Sequence, residues 1–134
     1  MDKRVLLIED EQFIREIYKR QLEKAGIATD DLASGKDVIN TLKQRKYDLV
    51  LLDIMLPDTN GLEILRHMKQ DDELKNIPAI FLTNLGQEEL VKEGMTLGAI
   101  GYLIKASYDP NQIVDEVKNV LASGTLSTNP QPAQ

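Results

Sequence analysis

The sequence predicts an α/β fold, a parallel sheet with helices packed on both faces. Three observations carry that prediction. Short solid apolar runs, Val5-Leu6-Leu7-Ile8, Leu49-Val50-Leu51-Leu52 and Ala79-Ile80-Phe81-Leu82, read as strands buried on both sides. Between them lie segments whose apolar residues recur at helical spacing. The two kinds of segment alternate along 134 residues, the length of one domain, and alternating strands and helices join in parallel through right-handed crossovers.

Arg4–Ile8 is the first strand. The helix that follows is expected over Glu11–Ala25, with Phe13, Ile14, Ile17, Leu22 and Ala25 inward and Gly26 as its stop. Ile27–Ala33 reads as a weak strand, because Asp30-Asp31 interrupts it. Ser34 is placed to cap a helix over Lys36–Arg45 that buries Val38, Ile39 and Leu42. Asp48–Asp53 is the third strand, and the turn-rich stretch from Pro57 to Gly61 leads into a helix burying Leu62, Ile64, Leu65 and Met68. Ala79–Thr83 makes the fourth strand, Gln87–Thr96 a short polar helix, and Ile100–Lys105 the last strand. Asp109-Pro110-Asn111-Gln112 is a helix start, with a capping Asp, Pro at the first helical position and Gln three residues after the cap. Ile113, Val114, Val117, Val120 and Leu121 line that helix, and from Ser123 the composition turns to Ser, Thr, Gly, Pro, Gln and Asn.

Sixteen Lys and Arg against 22 Asp and Glu give a formal charge of −6, which argues against binding to nucleic-acid phosphates or to an anionic membrane surface. The chain has no cysteine, so disulfides, a zinc–thiolate site and a thiol nucleophile are excluded. No apolar run is long enough to span a bilayer, and the amino terminus lacks the features of a signal peptide. The expectation is a soluble, cytoplasmic protein.

In an open α/β sheet, ligands bind beyond the carboxyl ends of the strands, where strand order reverses. The strands end in Glu9-Asp10, Asp53, Thr83-Asn84 and Lys105, so three carboxylates, a hydroxyl and an ammonium are expected along one edge. Three carboxylates in one cleft repel one another unless a cation neutralises them. Mg²⁺ suits such a site because it takes one or two carboxylates and keeps positions for water or phosphate oxygens. A carboxylate beside Mg²⁺ and a lysine can attack a phosphoryl group. The residues alone reach a Mg²⁺-dependent phosphoryl site and leave open which carboxylate is the nucleophile.

Four segments carry a resemblance. They are Val5-Leu6-Leu7-Ile8-Glu9-Asp10-Glu11, Asp53-Ile54-Met55-Leu56-Pro57-Asp58-Thr59-Asn60-Gly61, Ile77-Pro78-Ala79-Ile80-Phe81-Leu82-Thr83 and Gly98-Ala99-Ile100-Gly101-Tyr102-Leu103-Ile104-Lys105. In this order and spacing, from about Arg4 to Leu121, the chain resembles the receiver domains of two-component response regulators. The resemblance implies a flavodoxin-like, doubly wound (βα)5 three-layer sandwich with strand order 2-1-3-4-5, a receiver at 1–122 and a flexible tail or linker start at 123–134. It implies that Asp53 accepts a phosphoryl group from a histidine kinase or histidine phosphotransfer protein. Glu9, Asp10 and Asp53, with the main-chain carbonyl of Met55, would hold Mg²⁺. Lys105 would pair with the phosphoryl oxygens, Thr83 would move to hydrogen-bond them, and Tyr102 would swing inward behind it. The face of helix four, strand five and helix five would then change to control a protein target, with a phosphorylation-dependent dimer as one form of output. Such a module catalyses only its own phosphorylation and dephosphorylation.

Three positions depart from the family pattern. Ala106 stands where a proline usually follows a cis bond, Asn84 where a small residue usually follows the switch hydroxyl, and Ile100-Gly101 where polar residues precede the switch aromatic. Isoleucine at 100 is expected to add apolar surface on the output side. Two other readings compete. A Mg²⁺-dependent phosphohydrolase of the haloacid-dehalogenase type needs Asp-x-Asp, and Met55 stands at the second position. A pseudo-receiver acting as a constitutive binding module is kept open by Ala106 and Asn84. Glu11 is accounted for by the helix dipole. His67, the one histidine, is expected on a solvated helix face, and the glycines form no Gly-x-Gly-x-x-Gly loop.

Overall fold

The alternation along the strands sorts the core into two layers. Leu6 and Ile8 of the first strand and Val50 and Leu52 of the third enter one apolar cluster, while Val5, Leu7, Leu49 and Leu51 enter the other. The computed structural model describes residues 2–127. Its strands β1 (Arg4–Ile8), β2 (Ala28–Leu32), β3 (Leu49–Asp53), β4 (Ala79–Thr83) and β5 (Gly101–Ile104) form one parallel sheet in the order β2-β1-β3-β4-β5. Helices α1 (Gln12–Lys24) and α5 (Pro110–Ser123) cover one face. Helices α2 (Val38–Gln44), α3 (Gly61–Gln70) and α4 (Glu88–Leu97) cover the other. This is the doubly wound, flavodoxin-like sandwich that the sequence implies.

The chain runs from β1 outward to β2 and returns to place β3 on the other side of β1, so the carboxyl ends of β1 and β3 flank the point of reversal. Ile8 pairs in register with Leu52, which leaves Glu9 and Asp53 level with each other. Asp53 in turn pairs with Leu82, and Thr83 pairs with Ile104 immediately before Lys105. Sheet register alone therefore gathers the polar strand ends.

Several elements differ from expectation. β2 is a full strand through Asp30 and Asp31. The two acids alternate to opposite faces of an edge strand, where each finds cations. Asp30 pairs with Arg4 at 3.0 Å and accepts from the Tyr47 hydroxyl at 2.6 Å. Asp31 pairs with Arg15 at 3.0 Å and Lys19 at 3.1 Å. Helix α2 begins at Val38, and Ser34 does not cap it. The Gly35 N–H instead donates to Asp58 at 2.9 Å, in a turn pressed so close to Thr59 and Ile64 that a Cβ would overlap them. Phe13 is 69% exposed, because the inward stripe of α1 runs through Ile14, Ile17, Tyr18 and Leu22. Ile100 is half-buried, packed against the cluster under α1 and α5. Lys105 lies just past β5 and opens a short 3-10 turn, Lys105–Ser107.

The expected capping box of α5 is present, with Asp109 accepting from the Gln112 N–H and Gln112 accepting from the Asp109 N–H. Ser123, the expected start of the tail, is the last residue of α5. Beyond it Leu126 packs on the core and Ser127 donates to buried Glu116 through both its N–H and its hydroxyl. The remainder of the expected tail lies outside the described residues. Among the described residues, no helix is long and apolar enough to cross a membrane.

Burial pushes the Asp30 carboxyl up, but the Tyr47 hydroxyl and the Arg4 guanidinium outweigh it and hold the group below its ordinary value. Removing that hydroxyl with Tyr47→Phe is expected to lower unfolding stability by about 1 kcal/mol in urea denaturation at neutral pH. A carboxyl depressed in the folded state stabilises above its unfolded pKa, so the difference from the parent shrinks as pH falls below 3.8.

Candidate functional site

Asp53 closes β3 with its side chain only 4% exposed, and Glu9, just past β1, is 1% exposed. The Lys105 ammonium enters between them. Its Nζ donates to Asp53 Oδ2 at 2.8 Å and lies 2.6 Å from Glu9 Oε1. The second contact is off hydrogen-bonding direction, so Glu9 Oε1 is a buried oxygen held by charge alone. The remaining carboxylate oxygens are fixed by the backbone: Glu9 Oε2 accepts from the Glu11 N–H at 3.0 Å and Asp53 Oδ1 from the Met55 N–H at 3.2 Å. Asp10 is exposed, and one oxygen from each of Glu9, Asp10 and Asp53 lie within 4.8 Å of one another.

The charges here do not balance. Burial works against the Lys105 ammonium, but Asp53 and Glu9 outweigh it and keep its pKa above the ordinary lysine value. Burial pushes Asp53 up to about 6, against the pull of Lys105 and with the Glu9 charge adding to the rise. One ammonium thus serves two buried carboxylates, and Asp10 adds a third acid at the rim. Converging hard oxygens with one cation too few are suited to a small divalent cation.

The loops that hold these groups are locally determined. Arg15 donates through Nη1 to the main-chain carbonyl of Glu9 at 2.8 Å while its Nε bonds Asp31 at 3.0 Å, tying the loop after β1 to the edge strand. After β3 the chain doubles back, with Leu56 N–H donating to Thr59 O at 3.1 Å and Gly61 N–H to Ile54 O at 2.7 Å. A Cβ on Gly61 would lie 2.6 Å from the Asp53 carbonyl, so only glycine lets α3 begin this close to the site. Asn60 caps α3 by accepting from the Glu63 N–H at 3.0 Å.

Residues 5–118 match the response regulator receiver domain. The chain belongs to that family. It is 37% identical over 119 residues to the phosphate regulon transcriptional regulatory protein PhoB of Pseudomonas aeruginosa, a match covering 89% of this chain and 52% of that one. It is 32% identical over 123 residues to the chemotaxis protein CheY of Halobacterium salinarum, covering 92% of this chain and all of the other. The chain thus spans about half the length of the phosphate-regulon relatives it matches. Among solved structures, the phosphorylated cyanobacterial phytochrome response regulator RcpA superposes with a TM-score of 0.81 at 26% identity, covering 96% of this chain and 100% of that one. Receivers are phosphoacceptor signalling modules of two-component systems.

Within this receiver Glu9, Asp10, Asp53 and Lys105 come together at the sheet edge. Lys105 reaches the carboxylates through a trans bond to Ala106, since the described residues contain no cis peptide. Tyr102 is already inward, 5% exposed, and its buried hydroxyl has no partner. The Thr83 hydroxyl, 1% exposed as a residue, donates to Gln87 Oε1. Asn84 is exposed, its N–H donating to the same Gln87 oxygen at 3.1 Å. His67 is exposed on α3, as expected. The reading from sequence missed Arg15 and Gln87, whose bonds depend on loop geometry that no spacing encodes.

Lys105→Met leaves two buried carboxylates facing each other. The expected result in metal-free buffer is an Asp53 titration midpoint moved above about 6, followed by NMR of its side-chain carboxyl carbon. Stability at neutral pH is expected to fall by roughly 3 kcal/mol.

Proposed function

We propose that this receiver is a phosphorylation-activated switch with Asp53 as phosphoacceptor. Support comes from the position of Asp53 in a member of this family: buried, 2.8 Å from the Lys105 ammonium, and within 4.8 Å of two further acids. The residues present fit Mg²⁺. The donors are hard oxygens, and Glu9 Oε1 is buried without a hydrogen bond. The carboxylates of Glu9, Asp10 and Asp53 and the main-chain carbonyl of Met55 would hold the ion. Bound there, Mg²⁺ would offset charge on the phosphoryl oxygens and orient the group.

Asp53 attacks phosphorus through a carboxylate oxygen. The new P–O bond forms as the bond to the donor breaks, and that electron pair leaves with the donor. The Met55 N–H fixes the rotamer of the nucleophile, and burial keeps bulk water from it. Lys105, freed from its double pairing, neutralises the transferred group, which carries about −1.5 to −2 charge. Thr83 then donates to a phosphoryl oxygen, and with Tyr102 biases the surface made by α4, β5 and α5.

The donor class is a histidine kinase or a histidine phosphotransfer protein, which places the work in the cytoplasm. The output is a protein target or a second copy of the chain rather than nucleic acid, in keeping with the charge of −6. The signalling unit runs through the end of α5 at Ser123, with the short strap through Ser127 lying on it.

Incubation with acetyl phosphate and Mg²⁺ is expected to add one phosphoryl group by intact mass. Asp53→Asn or chelation of the metal is expected to abolish it. Where the small donor is refused, beryllium trifluoride binding by NMR serves the same purpose. An equal adduct on Asp53→Asn, or neither adduct nor beryllium trifluoride binding on the parent, overturns the proposal.

A further inference from the structure

The Thr83 hydroxyl has one proton to give. In this structure it donates to Gln87 Oε1 at 2.5 Å, with the Asn84 carbonyl 3.2 Å away as a weaker second acceptor. The end of the carboxamide that faces Thr83 is fixed by a second donor. The Asn84 N–H reaches the same atom at 3.1 Å, and two donors can share only an oxygen. Gln87 is the N-cap residue of α4, yet its side chain makes no cap to that helix. It turns back onto the end of β4 and joins the strand to the helix that follows.

We propose that Gln87 is a latch on Thr83: it holds the hydroxyl in the resting arrangement and must release it before Thr83 can donate to an acceptor oxygen placed on Asp53. The inference rests on the reading of Asp53 as the phosphoacceptor and adds a positioning residue to it. Donation to Gln87 and donation to a phosphoryl oxygen exclude each other, because they need the same proton. The latch therefore lowers the apparent affinity of the site for a phosphoryl-like ligand by the fraction of molecules in which it is open. Release also acts on α4. The Gln87 carbonyl accepts from the Val91 N–H at 3.0 Å, so movement of this residue is felt in the first turn of the helix.

The test is a double-mutant cycle with beryllium trifluoride and Mg²⁺ as the probe, read by calorimetry. Gln87→Met keeps the length of the side chain and removes the acceptor. The expected result is binding about 3- to 10-fold tighter than the parent, the range that one net hydrogen bond gives. In a Thr83→Ala background the same substitution is expected to change nothing. No tightening in Gln87→Met overturns the latch. So does an equal gain in the Thr83→Ala background, which would assign the effect to the loop at Asn84.

A second arm needs neither metal nor fluoride. Three-bond couplings of the Thr83 methyl group are expected to report one rotamer in the parent and averaging in Gln87→Met; unchanged couplings overturn the latch. Failure of the parent to bind beryllium trifluoride counts against the phosphoacceptor reading, and the coupling arm still decides the latch.

Discussion

A single ammonium between two buried carboxylates organises this molecule. Lys105 touches Glu9 at 2.6 Å and Asp53 at 2.8 Å, and each of the three groups follows or ends a different strand. Burying charge is costly, and a buried pair repays that cost only when its geometry is good and its remaining atoms are bonded. Here Met55 and Glu11 supply backbone donors to the far oxygens, while Glu9 Oε1 has only the charge of Lys105 to answer it. The arrangement is stable enough to hold and under-neutralised enough to demand more positive charge. That demand, rather than any pocket shape, is what suits the edge of the sheet to a cation.

The rest of the fold serves that edge. Register brings Glu9 and Asp53 level, and the β3–β4 and β4–β5 pairings carry Thr83 and Lys105 to the same rim. Close approach of α3 depends on Gly61, which stands against the Asp53 carbonyl. Arg15 holds the carbonyl of Glu9 and bonds Asp31, so even the edge strand contributes to placing an acid. The acids of β2 thus have partners of their own, and the net negative charge is not uniformly available to ligands. Where β1 and β3 end, one ammonium faces two buried carboxylates and the exposed Asp10.

Much of this was legible in the sequence because the strands are buried on both faces. Solid apolar runs leave little choice for β1, β3 and β4, and the polar residues that stop those runs are the site residues themselves. β2 was harder to see, since Asp30 and Asp31 are tolerated only through Arg4, Tyr47, Arg15 and Lys19, partners drawn from other elements. Phe13 falls near the helical stripe, but the rotation of α1 about Ile14, Ile17 and Tyr18 turns it outward. Ser34 has the chemistry of a cap, but packing of Gly35 against Thr59 and Ile64 delays the helix past its reach. Nothing in the spacing distinguishes Gln87 from an ordinary polar residue at a helix start; its role comes from the loop that folds its amide back onto Thr83.

At the edge of the sheet one ammonium stands against three acids. A Mg²⁺ titration followed by NMR of the backbone amides and side-chain carboxyls tests this most directly. The predicted result is one saturable site that shifts Glu9, Asp10, Asp53 and Met55 together. On saturation the Asp53 titration moves below about 6, because added positive charge favours its ionised form. Absence of saturable shifts at millimolar Mg²⁺, or shifts confined to exposed acids such as Asp72 and Glu73, would contradict the account.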